Sequence, residues 1–101
     1  MRKVQYLELA RKDYIEIVTY ITFELNAIDA ANRFIDMFEK AVERVRQYPF
    51  SCKVFETSEM FHYEYRVFKV MNYLVFYVIF EEFIEIHRII YAKMNLTFLQ
   101  K

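Results

Sequence analysis

The sequence has no glycine and no tryptophan, and only one proline and one cysteine in 101 residues. Each shortage closes off some chemistry. Without glycine there is no glycine-rich phosphate loop and no nucleophile elbow, because both need backbone that approaches a ligand or turns where a Cβ would clash. A single cysteine, Cys52, excludes an internal disulfide and a cysteine-based zinc site. No Cys or His pair has metal-ligand spacing, and the two histidines, His62 and His87, fall on different segments, so no metal or other cofactor is expected. An excess of either charge is missing too. Fourteen basic residues balance fourteen acidic ones, and the balance holds in both halves of the chain. With no basic tail or block, affinity for a nucleic acid backbone has little electrostatic support. Long hydrophobic runs are also absent: the longest uncharged stretch, residues 70–80, is too short to span a bilayer. Glu8 and Arg11 interrupt any signal-peptide core. A soluble cytoplasmic protein is therefore expected.

What the chain has in abundance is apolar and aromatic material. The apolar fraction is 56% and the aromatic fraction 20%, against about 45–50% apolar in an average domain. A single domain over residues 1–101 cannot bury all of it, which points to a partner surface. Residues 65–93 carry the densest part. At period two they give three apolar strands, over 65–71, 73–80 and 83–92, rich in β-branched and aromatic residues. Asn72 is suited to the positive φ of the first tight turn, whereas Glu81-Glu82 favours a longer type I loop.

Upstream, Val4, Tyr6 and residues 7–9 read as a short extended opening, an edge strand for the later sheet. A helical pattern follows Arg11-Lys12-Asp13, with Tyr14, Ile17, Val18, Ile21 and Leu25 on one face. Asn26 breaks it, and Asp29 is placed to cap the next helix, which runs to about Tyr48. In that helix Ile28, Ala31, Ile35, Phe38, Val42 and Val45 form one stripe, with Phe34, Met37 and Ala41 beside it, so it touches both a partner helix and a sheet. Pro49 ends it, and a polar loop spans residues 50–59. The order strand, helix, helix, strand, strand, strand describes an α+β fold: an N-terminal strand and an antiparallel helical hairpin packed on one face of a mostly antiparallel sheet.

Alternation along the last strands predicts two faces. Tyr63, Tyr65, Lys69, Tyr73, Tyr77, Glu85, His87, Tyr91 and Lys93 form an open, tyrosine-rich surface suited to recognition. His62, Arg66, Phe68, Val70, Leu74, Phe76, Val78, Ile84, Ile86, Arg88 and Ile90 lie under the helices. An arginine on the covered side needs a carboxylate or several carbonyls, and a bulge near a strand end would shift residues between faces. Tyr65, Tyr73, Tyr77, His87 and Arg88 are the candidate partner-binding residues.

Several segments together resemble the RelE/ParE superfamily of bacterial toxins. They are Tyr65-Arg66-Val67, Asn72-Tyr73-Leu74-Val75-Phe76-Tyr77 and the closing Ile86-His87-Arg88-Ile89-Ile90-Tyr91-Ala92-Lys93. The stretch 26–34, NAIDAANRF, is similar to the start of that family's second helix, and Tyr48-Pro49-Phe50 to its end. The resemblance implies the toxin of a type II toxin–antitoxin system, which arrests growth until a cognate antitoxin neutralises it. Its ParE-like branch acts on DNA gyrase, and its RelE-like branch is an mRNA interferase that cleaves message on the ribosome. For the second, the resemblance implies Arg66 and Lys93 on phosphate and Tyr91 as acid or base. An unperturbed tyrosine has a pKa near ~10 and needs strong tuning for that role. Leu74 stands where many RelE-like members have an arginine, and Lys53 is the sole basic residue of the preceding loop. The closing RIIYAKMN is nearer the ParE-like ending, with Tyr91 replacing its usual histidine. The ParE-like branch is the better match.

Overall fold

The computed structural model describes residues 1–55 and 63–93. In chain order it contains β1 (Lys3–Tyr6), α1 (Glu8–Thr19), a π-helical turn (Tyr20–Glu24), α2 (Ile28–Gln47), a 3-10 turn (Pro49–Ser51), β2 (Arg66–Val70), β3 (Tyr73–Ile79) and β4 (Phe83–Tyr91). This is the expected α+β arrangement. The sheet order is β1-β4-β3-β2, with β1 parallel to β4 and the other pairs antiparallel. Among the described residues, no helix is long and apolar enough to cross a membrane.

The opening is shorter than its sequence suggests. β1 ends at Tyr6, Leu7 is extended, and the helix begins at Glu8 rather than after Asp13. Leu7 and Leu9 imitate strand alternation, but both face solvent, and the helix buries Ala10 and Ile17 instead. Asn26 does break the helix, at φ 49. Asp29 is not the cap: that position is Ala27, without a side-chain bond, and Asp29 sits in the first turn of α2. There its charge meets the positive helix end, as Arg44 and Arg46 meet the negative one. The two stripes of α2 merge into one buried band, Ala31, Phe34, Phe38, Ala41, Val42 and Val45, leaving Ile28 and Met37 exposed.

Both hairpin connections are short. In the first, the left-handed residue is Met71, at φ 54, not Asn72. In the second, Phe80 N–H donates to Phe83 O at 2.8 Å across Glu81-Glu82, with no positive φ and no longer loop. The edge of β2 is half covered: Val67 N–H donates to Lys53 O and Phe55 N–H to Tyr65 O. Residues 56–62, which include His62 and the end of the expected loop, lie outside the described residues.

The faces differ from expectation, for two register reasons. The turn at Met71-Asn72 sets Val70 opposite Tyr73. Opposed residues share a face, so odd positions of β3 join even positions of β2. Tyr73 and Tyr77 therefore point toward the helices with Phe68 and Val70, while Leu74, Phe76 and Val78 take the other side. A bulge then interrupts β4, where Phe76 pairs with Arg88 but Tyr77 with Ile86. Beyond it Ile89 and Tyr91 face the helices, in line with Ile84 and Ile86, and Ile90 faces away. The main core gathers Phe34, Phe38, Val45, Val70, Val75, Tyr77, Ile84 and Ile86. A smaller cluster of Val67, Phe76 and Ile90, joined by Phe55, Tyr65 and Leu74, holds the other face. Each fully buried large side chain contributes about 1.5–3 kcal/mol by leaving water.

Candidate functional site

Among the described residues, three polar devices built into the sheet locate most of the candidate residues. The first ties the end of α2 to the sheet. Tyr77 is fully buried, and its hydroxyl donates to Pro49 O at 2.6 Å. An unpaired hydroxyl there would cost about 2–7 kcal/mol, so the tether holds Pro49 over the sheet. Burial, and then the hydrogen bond with Cys52, pushes the Tyr77 phenol well above its usual range. Beside it, Arg66 donates from Nη1 to Cys52 O at 2.6 Å and to Phe50 O at 3.4 Å. Its guanidinium lies 5.1 Å from the Phe50 ring centre, and Arg2 meets the same ring at 5.6 Å while its Nε donates to Phe80 O. Arg66 thus has the several carbonyls that a covered arginine requires. Glu64 approaches only to 3.7 Å, and Arg66 Nε is buried without a partner.

The second device crosses the face away from the helices. Tyr65 Oη lies 2.9 Å from His87 Nδ1, and His87 Nε2 lies 2.8 Å from Glu85 Oε1. An ionised carboxylate only accepts, so Nε2 carries the proton it donates to Glu85. In the neutral imidazole the lone pair of Nδ1 then accepts from Tyr65. Burial raises the Tyr65 pKa, with Tyr63 and Glu85 adding to the effect, and so keeps the phenol protonated as the donor. His87 is only 5% exposed. Tyr63 and Tyr65 pack edge-on against its ring at 5.2 and 5.3 Å. The bulge places it: as the extra residue of β4 it turns to the same side as Glu85.

The third lies at the other end of β4. Asp13 on α1 accepts from Arg88 Nε (2.8 Å) and Nη2 (3.1 Å), and also from the Ile89 backbone N–H (2.9 Å). It closes one side of an open groove of about 720 Å³ between α1, the π turn and β4. Glu16, Ile17, Tyr20, Leu25, Tyr73 and Tyr91 line much of it. The Tyr73 phenol is pushed up by burial and by the neighbouring Tyr20 and Tyr91 hydroxyls.

These positions reorder the expected sites. Tyr77 offers no surface to a partner, and Tyr73 stacks edge-on against Phe34 on the helix side. Of the candidate partner-binding residues, Tyr65 and His87 bond to each other, with Tyr63 and Glu85 beside them, and Arg88 pairs with Asp13. The three residues with an implied nuclease role are not brought together. Arg66 is level with Tyr77 and Ile86, whereas Tyr91 is level with Tyr73 and Val70. Four residues of strand at ~3.3 Å each put about 13 Å between those levels. Lys93 follows Tyr91, exposed, at the far end. Two features escaped the sequence, the role of Asp13 and the bond of Glu85 to His87. Asp13 reads as a helix-start residue, and nothing in its segment signals Arg88 as its partner; Glu85 reads as an open-face residue with His87, but alternation does not signal its bond to the imidazole. Among the described residues no group of three or more His, Cys, Asp or Glu side chains can hold a metal.

The family model for the ParE toxin of the type II toxin–antitoxin system parDE matches residues 4–96. The chain belongs to the ParE toxin family. No curated protein matches it by sequence. A solved structure described as the chromosomal ParDE TA system from P. aeruginosa superposes with a TM-score of 0.72, over 92% of this chain and 98% of that one, at 12% identity. At that identity the likeness speaks for the fold. Apart from Lys3, the first residue of β1, every element described above falls within the ParE-family match.

Proposed function

We propose that this ParE-family chain is a growth-arresting toxin that poisons DNA gyrase in the cytoplasm and is neutralised by a cognate antitoxin. Family membership supports the toxin reading. The observation that favours gyrase over message cleavage is the separation of Arg66 from Tyr91 and Lys93. Cleaving a phosphodiester needs cations and an acid–base group around one phosphate, and here the arginine is tied to the Cys52 and Phe50 carbonyls at the opposite end of the sheet. The neutral net charge points the same way, since a ribosome-bound nuclease draws affinity from basic surface.

The test is induction in cells, scored for DNA damage signalling against message decay, with purified protein added to gyrase supercoiling and cleavage assays. The expected result is inhibited supercoiling, trapped cleavage complexes and intact message. Unchanged gyrase together with cleaved message in a translation extract would replace this reading with the ribosome-dependent endonuclease.

A further inference from the structure

The charges that cancel along the chain do not cancel around the fold. α2 packs over β2, with Ala31, Phe34, Phe38 and Val45 on its inner side. Glu39 shares a small pocket with Arg11 and Tyr14 of α1, which marks the flank of α2 nearest its partner helix. The flank turned away from α1 is basic. At about 100° per residue, Arg33, Lys40 and Arg44 fall within about 40° of one another, along about 16 Å of helix. Met37, 45% exposed, sits among them, and Tyr48, 64% exposed, ends the row. The acids between Arg33 and Tyr48 stand to the α1 side of the row, and two of them already hold cations: Asp36 pairs with Lys40 at 3.0 Å, and Glu43 with Arg46. Asp29, a turn before Arg33, lies at the positive end of the helix. Arg33 and Arg44 are exposed and have no ion pair among the described residues. Lys53, exposed and likewise unpaired, follows at the edge of β2, where its carbonyl accepts from Val67 N–H.

We propose that this flank of α2 lies along the phosphate backbone of duplex DNA. The proposal rests on the gyrase reading above for its setting, because a trapped cleavage complex holds DNA beside the toxin. A protein partner calls for a different surface: interface cores are apolar and poor in charge, whereas here the cations outnumber the one apolar side chain, Met37. DNA presents one phosphate per ~3.4 Å of axis on each strand, so a straight row of about 16 Å runs past roughly five of them. Backbone contacts of this kind carry no sequence information, and no sequence preference is expected. Magnitude then sets the role. Each phosphate contact adds about −0.9 to the slope of log K against log salt, so the three free cations give about −2.7, against about six to ten contacts in strong binders. The flank therefore adds hold to a chain that gyrase already brings to DNA. It falls well short of the basic surface that a ribosome-bound nuclease draws on.

Fluorescence anisotropy of the full chain on a labelled duplex of mixed sequence reads the surface without gyrase. The salt slope should be about −2.7 for the wild type and about −0.9 for the double substitution Arg33→Gln, Arg44→Gln. The charge-keeping pair Arg33→Lys, Arg44→Lys should retain the wild-type slope. Both pairs should melt like the wild type, since both side chains are exposed. In a gyrase cleavage assay the glutamine pair should lose about tenfold in potency near 50 mM salt and less near 200 mM. A photo-crosslinker placed at Met37 should label the DNA. Duplex binding that ignores salt, or that survives the glutamine pair unchanged, overturns the proposal. A Met37 crosslink to gyrase alone overturns it too, and assigns the flank to an acidic protein surface. Either result with gyrase still inhibited leaves the gyrase reading standing. A chain that holds duplex with the expected slope but leaves gyrase untouched removes that reading and keeps the DNA surface.

Discussion

The two faces of the sheet use the same kinds of residue to different ends. On the covered face, aromatic rings pack ring against ring, with Phe34 meeting Tyr14, Phe38 and Tyr73, and a single buried hydroxyl, Tyr77, finding a carbonyl. On the other face, a smaller apolar cluster lies beside a phenol–imidazole–carboxylate chain. One face resists change because it is dry and large. The other is held by directional bonds, each of which is lost when a single atom is removed. The contrast teaches that aromatic content alone does not mark a recognition surface. Most of the tyrosines near the sheet centre serve the core, and the half-exposed ones gather at the sheet's ends.

That comparison can be broken by mutation, starting where the effect is greatest. Phe34→Ala should cost about 5 kcal/mol and Phe76→Ala about 3 kcal/mol in chemical denaturation, since the first leaves its cavity in the larger cluster. A reversed order would mean that the smaller cluster is the true core. Asp13→Ala removes three acceptor contacts at the junction of α1 and β4 and should cost about 2–3 kcal/mol. It should also speed exchange of the Ile89 amide, and an unchanged rate would show that another acceptor serves that edge. Tyr77→Phe leaves Pro49 O unsatisfied and should cost about 2 kcal/mol, against about 1 kcal/mol for Tyr65→Phe on the wetter face. Equal losses would erase the distinction between the faces. The smallest effect lies on the solvent side of α2. There Arg46, and then Gln47, hydrogen-bond Glu43 and lower its pKa to about 2. A depressed carboxylate contributes its stabilisation above the usual carboxylate range and loses it as pH falls toward 2. An NMR titration should find that low midpoint, and Arg46→Ala should return it to the ordinary range.

The sequence carried the element order, because each segment's period, whether 2 or 3.6, is a local property. It carried less of the facing. Parity across the first hairpin depends on the turn holding two residues, which moved Tyr73 and Tyr77 to the core and Phe76 away from it. Parity within β4 depends on one extra residue at His87. The needs of the arginines were legible as chemistry, carbonyls for Arg66 and a carboxylate for Arg88, but the suppliers were not. Asp13 lies 75 positions from Arg88 along the chain, and no periodicity links them. The same holds for the separation of Arg66 from Tyr91: it is a property of register, visible only once the strands are paired.

The π turn at Tyr20–Glu24 has a mechanical consequence. Leu25 N–H reaches back five residues to Tyr20 O, so this turn holds one residue more than an α-turn would. An α-helix advances about 100° per residue, so that surplus residue works as a rotation device. Everything after it is turned relative to the face that α1 sets, and Leu25 joins Ile17 and Ile21, which also pack on the core, along the groove. Deleting one residue there would regularise the winding and swing the helix tip by about a quarter turn. The hairpin would keep its length, and the groove would lose its end wall.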